Sequence, residues 1–301
     1  MVSQTSYRDA ATVGIKPPTF QLPDAAHVGI VMLGVSNLER SVAFYRDVIG
    51  LALLSRHGKV AELGVAQETL LRLEELPGVE PIERRTRLGL YHTAFLLPNR
   101  AALASFIKHL SQLGVYFGAG DHIYSEALYL VDPDGLSVEV YADRPRSAWQ
   151  VREQELLSAT AQVDFANVLK EEIGAWDGAP VGTRIGHVHF YIGDLERARR
   201  FYHEALGFTI MTWSYPGALF VSAGGYHHHV GLNVWAGDSP KAGPTDARLL
   251  SWELVVPSPE DVQAVRSNLN RLGWTTQIGE SGTVVASDPW GITVRVLSRG
   301  N

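Results

Sequence analysis

The chain carries a copy of itself. NLERSVAFYRDVIGL at 37–51 returns as DLERARRFYHEALGF at 194–208, an offset of 157 residues. LLPNRAALASFIKHLSQLGV at 96–115 has a counterpart in VVPSPEDVQAVRSNLNRLGW at 255–274, and DPDGLSVEVY at 132–141 in DPWGITVRVL at 288–297. Whatever unit one half builds, the other must build too. Each half divides again. GHVHFYI at 186–192 alternates as a strand does, Asp194 is placed to cap a helix, and Leu195, Ala198, Phe201, Tyr202 and Leu206 recur at helical spacing. Gly207 ends that helix, Phe208 opens a return strand, and ALFVSAG and HHVGLNVW follow as further strands. This is a βαβββ unit, and four can be read, at roughly 25–80, 88–142, 184–236 and 248–298. The expectation is an α+β chain in two halves, 25–142 and 184–298. A linker at 143–183 joins them, with a helix around VREQELLSATAQVDFANVLKEEI.

Composition narrows the function classes. A chain of 301 residues with 46% hydrophobic and 19% charged residues is long and apolar enough for two ordinary domains. Its net charge of -6, without a long basic cluster, argues against nucleic acid as a partner. The absence of cysteine leaves His and carboxylates as the ligands for any metal. No apolar run approaches the roughly 18 residues of a membrane span. The first twenty residues lack the pattern of a secretory signal, so a cytoplasmic enzyme is expected.

The stretch from Gly120 to Glu139, GDHIYSEALYLVDPDGLSVE, sets His122, Tyr129 and Glu139 around a DPDG turn. It resembles the signature of the type I extradiol ring-cleaving dioxygenases of the vicinal oxygen chelate superfamily: a His, a short spacer, an apolar–Tyr pair, an Asp-Pro-x-Gly turn and a Glu. The βαβββ units resemble the fold of the same superfamily, in which paired units enclose a metal cavity. The resemblance covers most of residues 25–298. It implies Fe(II), with Mn(II) as the other candidate, a small aromatic diol and dioxygen as substrates, and a ring-opened semialdehyde as product, in the breakdown of aromatic compounds. It also implies that His122 and Tyr129 hydrogen-bond substrate oxygens. A homo-oligomer is expected. The alternatives are a hydroquinone-cleaving dioxygenase, a glyoxalase-like isomerase and a metal-free binder of aromatic molecules. DPDG reads as a tight turn, since a calcium loop needs further oxygen ligands at regular spacing.

In that family a metal His sits on the first strand of a unit, and a Glu or second His on its last strand. The second unit keeps both, as His92 and Glu139. The third keeps His187, eight residues before Leu195. The fourth has Ser251 and Arg295 at the two positions. In the first, Leu38 corresponds to Leu195, so the ligand position falls on Ile30; His27 lies three residues earlier and faces away unless a bulge turns it. This census expects the second unit to pair with the third and the first with the fourth, gathering His92, Glu139 and His187 as the two-His, one-carboxylate set of nonhaem iron oxygenases. His27 in place of His187 stays open as the alternative. The run His227, His228, His229 supplies the acid–base catalyst that the resemblance implies, with His229 the first choice and His228 the second. His189 shares a face with His187, as a cavity or a core residue, and His57, His109 and His203 read as surface residues.

Overall fold

A computed structural model describes residues 5–6, 12–171 and 174–299. The first unit contributes β1 (His27–Val35), β2 (Ala52–His57), β3 (Val60–Val65) and β4 (Glu68–Glu75). The second contributes β5 (Gly89–Leu96), β6 (Gly118–Asp121), β7 (Ser125–Val131) and β8 (Ser137–Asp143). The third has β9 (Arg184–Tyr191), β10 (Thr209–Thr212), β11 (Ala218–Ser222) and β12 (Val230–Asn233), and the fourth β13 (Arg248–Val256), β14 (Gln277–Ile278), β15 (Val284–Ser287) and β16 (Thr293–Ser298). One helix follows the first strand of each unit: α1 (Leu38–Ala43), α2 (Arg100–Leu113), α3 (Leu195–Ala198) and α4 (Pro259–Arg271).

Local sequence explains these helices. In α2, Leu103, Phe106, Ile107 and Leu110 form one buried stripe, Asn99 caps the start and Gly114 closes the end at φ 66°. In α4, Ser258 and Asp261 form a capping box, with Pro259 in the first turn. Asp194 caps α3 by accepting from the Arg197 N–H at 2.7 Å, and Gly207 turns the chain at φ 92°. After their first turns α1 and α3 widen into π-helix, over Phe44–Val48 and Arg199–Ala205. Each π segment presents a buried tyrosine to the DP turn of the following unit. Tyr45 donates to Asp132 Oδ2 and Tyr202 to Asp288 Oδ2, both at 3.1 Å. The same two aspartates take two backbone N–H groups each on Oδ1, which closes the turns. DPDG is thus a turn that also anchors the neighbouring unit.

The strands form two eight-stranded sheets, ordered β10-β11-β12-β9-β5-β8-β7-β6 and β14-β15-β16-β13-β1-β4-β3-β2. The second and third units therefore share one sheet, through the antiparallel β5–β9 pair, and the first and fourth share the other, through β1–β13. Alternation then sorts the side chains. On β5, β8 and β9, Phe95, Val138, Val140, Val188 and Phe190 join the main core, where helices and the backs of both sheets meet. Their neighbours His92, Glu139 and His187 take the opposite face. Among the described residues, no helix is long and apolar enough to cross a membrane.

The helix expected near 151–173 does not form; its last two positions, 172 and 173, lie outside the described residues. Short strands occupy Gln150–Arg152 and Glu155–Leu156, turning at Glu153 with φ 58°, and a single helical turn spans Phe165–Val168. The reason is tertiary. Trp149, Val151 and Leu156 are buried with Tyr124, Tyr141 and Tyr226 in a second apolar cluster, and an extended strap reaches all of them where a helix would not.

Candidate metal centre

His92, His187 and Glu139 converge on the cavity face of the β5–β9–β8 sheet, and all three are buried. His92 Nε2 lies 3.3 Å from His187 Nε2 and 3.0 Å from Glu139 Oε2, and His187 Nε2 lies 3.4 Å from the same oxygen. Three donor atoms on bonds of about 2.0–2.2 Å to one divalent ion, at angles near 90–110°, are separated by about 3.0–3.5 Å. The triangle therefore fits a metal ion on one face, with its other positions open toward the cavity. Both His rings turn Nε2 to the centre, and their buried Nδ1 atoms have no hydrogen-bond partner among the described residues.

The protonation states agree. Burial, then the neighbouring His189 and His187, holds His92 well below the usual histidine range, so it offers a lone pair. Burial would raise the Glu139 carboxyl, but His187 beside it, together with His122 and His227, holds it below the usual carboxylate value. A buried cluster of lone pairs with a single carboxylate is stabilised by a cation.

A cavity of about 170 Å³ opens beside the triad, lined by aromatic groups that include Tyr91, Tyr124, Tyr215, Phe220 and Trp235. That is below the roughly 300–1,000 Å³ of sites for drug-sized ligands, and suits a single small ring. His122 and Tyr129 line it together, with the His122 Nε2 and the Tyr129 hydroxyl 2.5 Å apart. His122 Nδ1 donates to the Ala159 carbonyl on the strap at 2.8 Å, which turns its Nε2 toward the Tyr129 hydroxyl. Burial, then Glu139, pushes the Tyr129 phenol well above its ordinary value and keeps it protonated. The turn that delivers His122 is strained: Ile123 sits at φ 74°, held by Asp121, which accepts its N–H and is clamped by Arg144.

The histidine run divides by environment. His228 lines the cavity, its ring 4.1 Å from that of His187. Burial, then His187 and His227, keeps it well below the usual range and therefore neutral. His227 lies behind it, stacked on Tyr124 at 4.4 Å, and burial likewise lowers it despite Asp143. His229, the first choice for the acid–base role, points out of the cavity. Its Nδ1 accepts from the Ala223 N–H at 3.2 Å and its ring packs against Tyr226. The cause is that β12 begins only at Val230, so the run lies in the loop before the strand and its side chains need not alternate as strand residues do.

His189 is a cavity residue. Asn233 Oδ1 accepts the Trp235 N–H at 3.0 Å, so its amide must donate to His189 Nε2 at 2.9 Å. The His189 ring lies on Gly231, where an added Cβ would meet it at 2.7–2.9 Å. His27 stands apart: it is exposed, its ring nitrogen lies 3.0 Å from the Ala25 carbonyl, and it lines a separate surface pocket with His229. His203, expected at the surface, is buried and bonds the Phe208 carbonyl at 2.7 Å. Sequence reasoning missed the strap residues Ser158 and Thr160, which line the cavity and were assigned to a helix; Tyr91, beside His92, was the one lining aromatic with an available signal.

In the other sheet the equivalent positions are empty of donors. The β1–β13 register sets Met32 opposite Ser251, as His189 faces His92, and Arg295 lies beside Glu253 on β13 as Glu139 lies beside Ala94. A guanidinium and an isoleucine cannot replace Glu139 and His187.

Two sheets of paired βαβββ units, one carrying a two-His, one-carboxylate centre, define the class. The chain belongs to the Glyoxalase/Bleomycin resistance protein/Dioxygenase superfamily, which it matches over residues 26–140 and 184–296. Within it, the chain is 43% identical over 264 residues to the catechol-2,3-dioxygenase of Bacillus subtilis (strain 168), covering 85% of this chain and 91% of that protein. Its fold is similar to a crystal structure from Bacillus subtilis (TM-score 0.64, 12% identity, 94% of this chain and 87% of that one). It is also similar to glyoxalase I from Zea mays (TM-score 0.56, 17% identity, 91% and 92%).

Proposed function

We propose that this protein is an Fe(II)-dependent extradiol dioxygenase that opens a single-ring catechol to a semialdehyde, in the breakdown of aromatic compounds. The observation that carries the reading is the one cavity in which His92, His187 and Glu139 form a three-donor face while His122, Tyr129 and His228 line the space before it. The 43% identity to a catechol-2,3-dioxygenase supports the same substrate class.

A ferrous ion in this triad would supply binding positions for diol and dioxygen, lower the diol pKa and let an electron pass from ring to oxygen. The chain supplies the rest. Two neutral imidazoles and one carboxylate leave a net positive centre for an anionic diolate. His228, neutral and facing the cavity, takes the diol proton and returns one later. The Tyr129 hydroxyl, held beside His122 Nε2, turns its O–H to a substrate oxygen as charge develops there. The aromatic walls flank the ring and exclude water. Both atoms of dioxygen enter the product, the ring C–C bond beside the diol breaks, and no external reductant is consumed.

The test is to load the protein anaerobically with Fe(II) or Mn(II), measure bound metal, and follow oxygen uptake and the yellow ring-fission product with a panel of catechols. One metal per chain with turnover is expected. Full loading with no uptake on any catechol, or uptake on hydroquinones alone, overturns the reading.

A further inference from the structure

Behind His228 the structure holds a line of groups that the reaction as described does not use. Asp143 Oδ1 lies 3.0 Å from His227 Nε2, and His227 Nδ1 lies 2.7 Å from His228 Nδ1. The Asp143 carboxylate only accepts, so His227 places its proton on Nε2. His227 is buried, which favours the neutral ring, and that leaves its Nδ1 as an acceptor. The partner at 2.7 Å must then donate. The proton of His228 is on Nδ1, and its Nε2 carries the bare lone pair. Among the described residues Nε2 of His228 has no protein partner, and the ring lines the cavity. His227 is fixed in this role by its stacking on Tyr124, at 4.4 Å and 13° between planes.

We propose that Asp143 and His227 are positioning residues that set the tautomer of His228, so that the base meets the substrate with its lone pair and not with an N–H. The inference rests on the reading of His228 as the base of the proposed reaction. An isolated histidine divides between two tautomers; here each ring is committed by the one behind it, back to a carboxylate. Neither Asp143 nor His227 lines the cavity, so neither touches substrate. Their effect passes wholly through His228.

The direct test reads the tautomer and not activity. In the metal-free protein labelled with 15N-histidine, long-range 1H–15N spectra report which ring nitrogen of His228 is protonated, with the signal assigned through His228→Gln. Nδ1–H is expected in the wild type, and a mixture or the Nε2–H form in Asp143→Leu and His227→Phe. A wild-type His228 protonated on Nε2 overturns the proposal, whether or not the protein cleaves catechols. The second arm is kinetic. Each variant should keep its metal and its KM for catechol while kcat falls at least tenfold, and Asp143→Asn, which can still accept from His227, should recover part of the loss. The double variant should be no slower than either single one, because both undo the same constraint. Additive losses, or unchanged kcat in both single variants at full metal loading, would also overturn it.

Discussion

Substituting two adjacent histidines separates the site's geometry from its sequence. His228 lines the cavity as a neutral ring, whereas His229 turns outward to accept the Ala223 N–H. A general base placed on substrate contributes about 10²–10⁴-fold, equivalent to about 2.7–5.5 kcal/mol of barrier. His228→Gln should therefore lower kcat by about that factor. Metal content should not change, because all three ligands stay in place on β5, β8 and β9. His229→Gln should leave kcat within about threefold. Its cost is to folding: the buried Ala223 N–H loses its acceptor, worth about 1–3 kcal/mol. The assay is oxygen uptake at saturating catechol, normalised to bound metal, with urea unfolding of both variants. If His228→Gln keeps more than a tenth of wild-type kcat with metal bound, the assignment of the base is wrong. The same holds if His229→Gln falls as far at equal occupancy.

Glu139→Gln removes the only carboxylate of the triad and should lose tight metal binding and activity together; a variant that keeps stoichiometric metal through dialysis would refute the ligand set. The DP turns make a pH prediction. Asp132 is pushed up to about 7 and Asp288 to about 6, chiefly by burial, against 3.8 for an ordinary aspartate. The folded chain then binds more protons than the unfolded one across that window. This contribution is fully present below about pH 4 and is lost as the pH rises through 7, by at most about 1.4 kcal/mol per unit per group. Asp132→Asn keeps an oxygen for the two turn N–H groups and should flatten the decline; urea midpoints from pH 5 to 8 that match the wild-type slope would contradict this. Glu126 is 2% exposed, and Arg100 holds it along with Arg144. Arg100→Leu should cost about 3 kcal/mol, the low end for breaking a buried pair because Arg144 remains, and a loss under 1 kcal/mol in urea unfolding would show that Arg144 alone suffices.

How much of this was legible follows from what each feature depends on. The four units, their caps and the donor positions are set by local pattern: Asp194, Gly207, the DP turns and the strand spacing of His92, His187 and Glu139 each act within a few residues of themselves. The division of donors between the second and third units anticipated which strands share a sheet. What failed depended on distant partners. Val151 and Leu156 allow a helix locally, but Tyr124, Tyr141 and Tyr226 recruit them as an extended strap. The choice between His228 and His229 turned on where β12 begins, and alternation gives no answer in the loop before it. His203 looked like a helix-surface residue until the π turn carried it against Phe208.

The two sheets are nested in the chain like one pair of brackets inside another. The inner sheet runs from β5 to β12 without interruption by any strand of the outer one, and it holds every donor of the metal centre. The outer sheet closes only when Arg248 meets Gly34, near the two ends of the chain. During synthesis the metal-binding half is thus complete in sequence once Asn233 has emerged, while β1–β4 must wait with an open edge until β13 arrives. Contacts this distant in sequence are slow to form, and an unpaired edge invites association with other chains. A chain cut after the inner sheet would carry every ligand of the metal centre but leave β1 unpaired and uncover the core face that packs against the fourth unit.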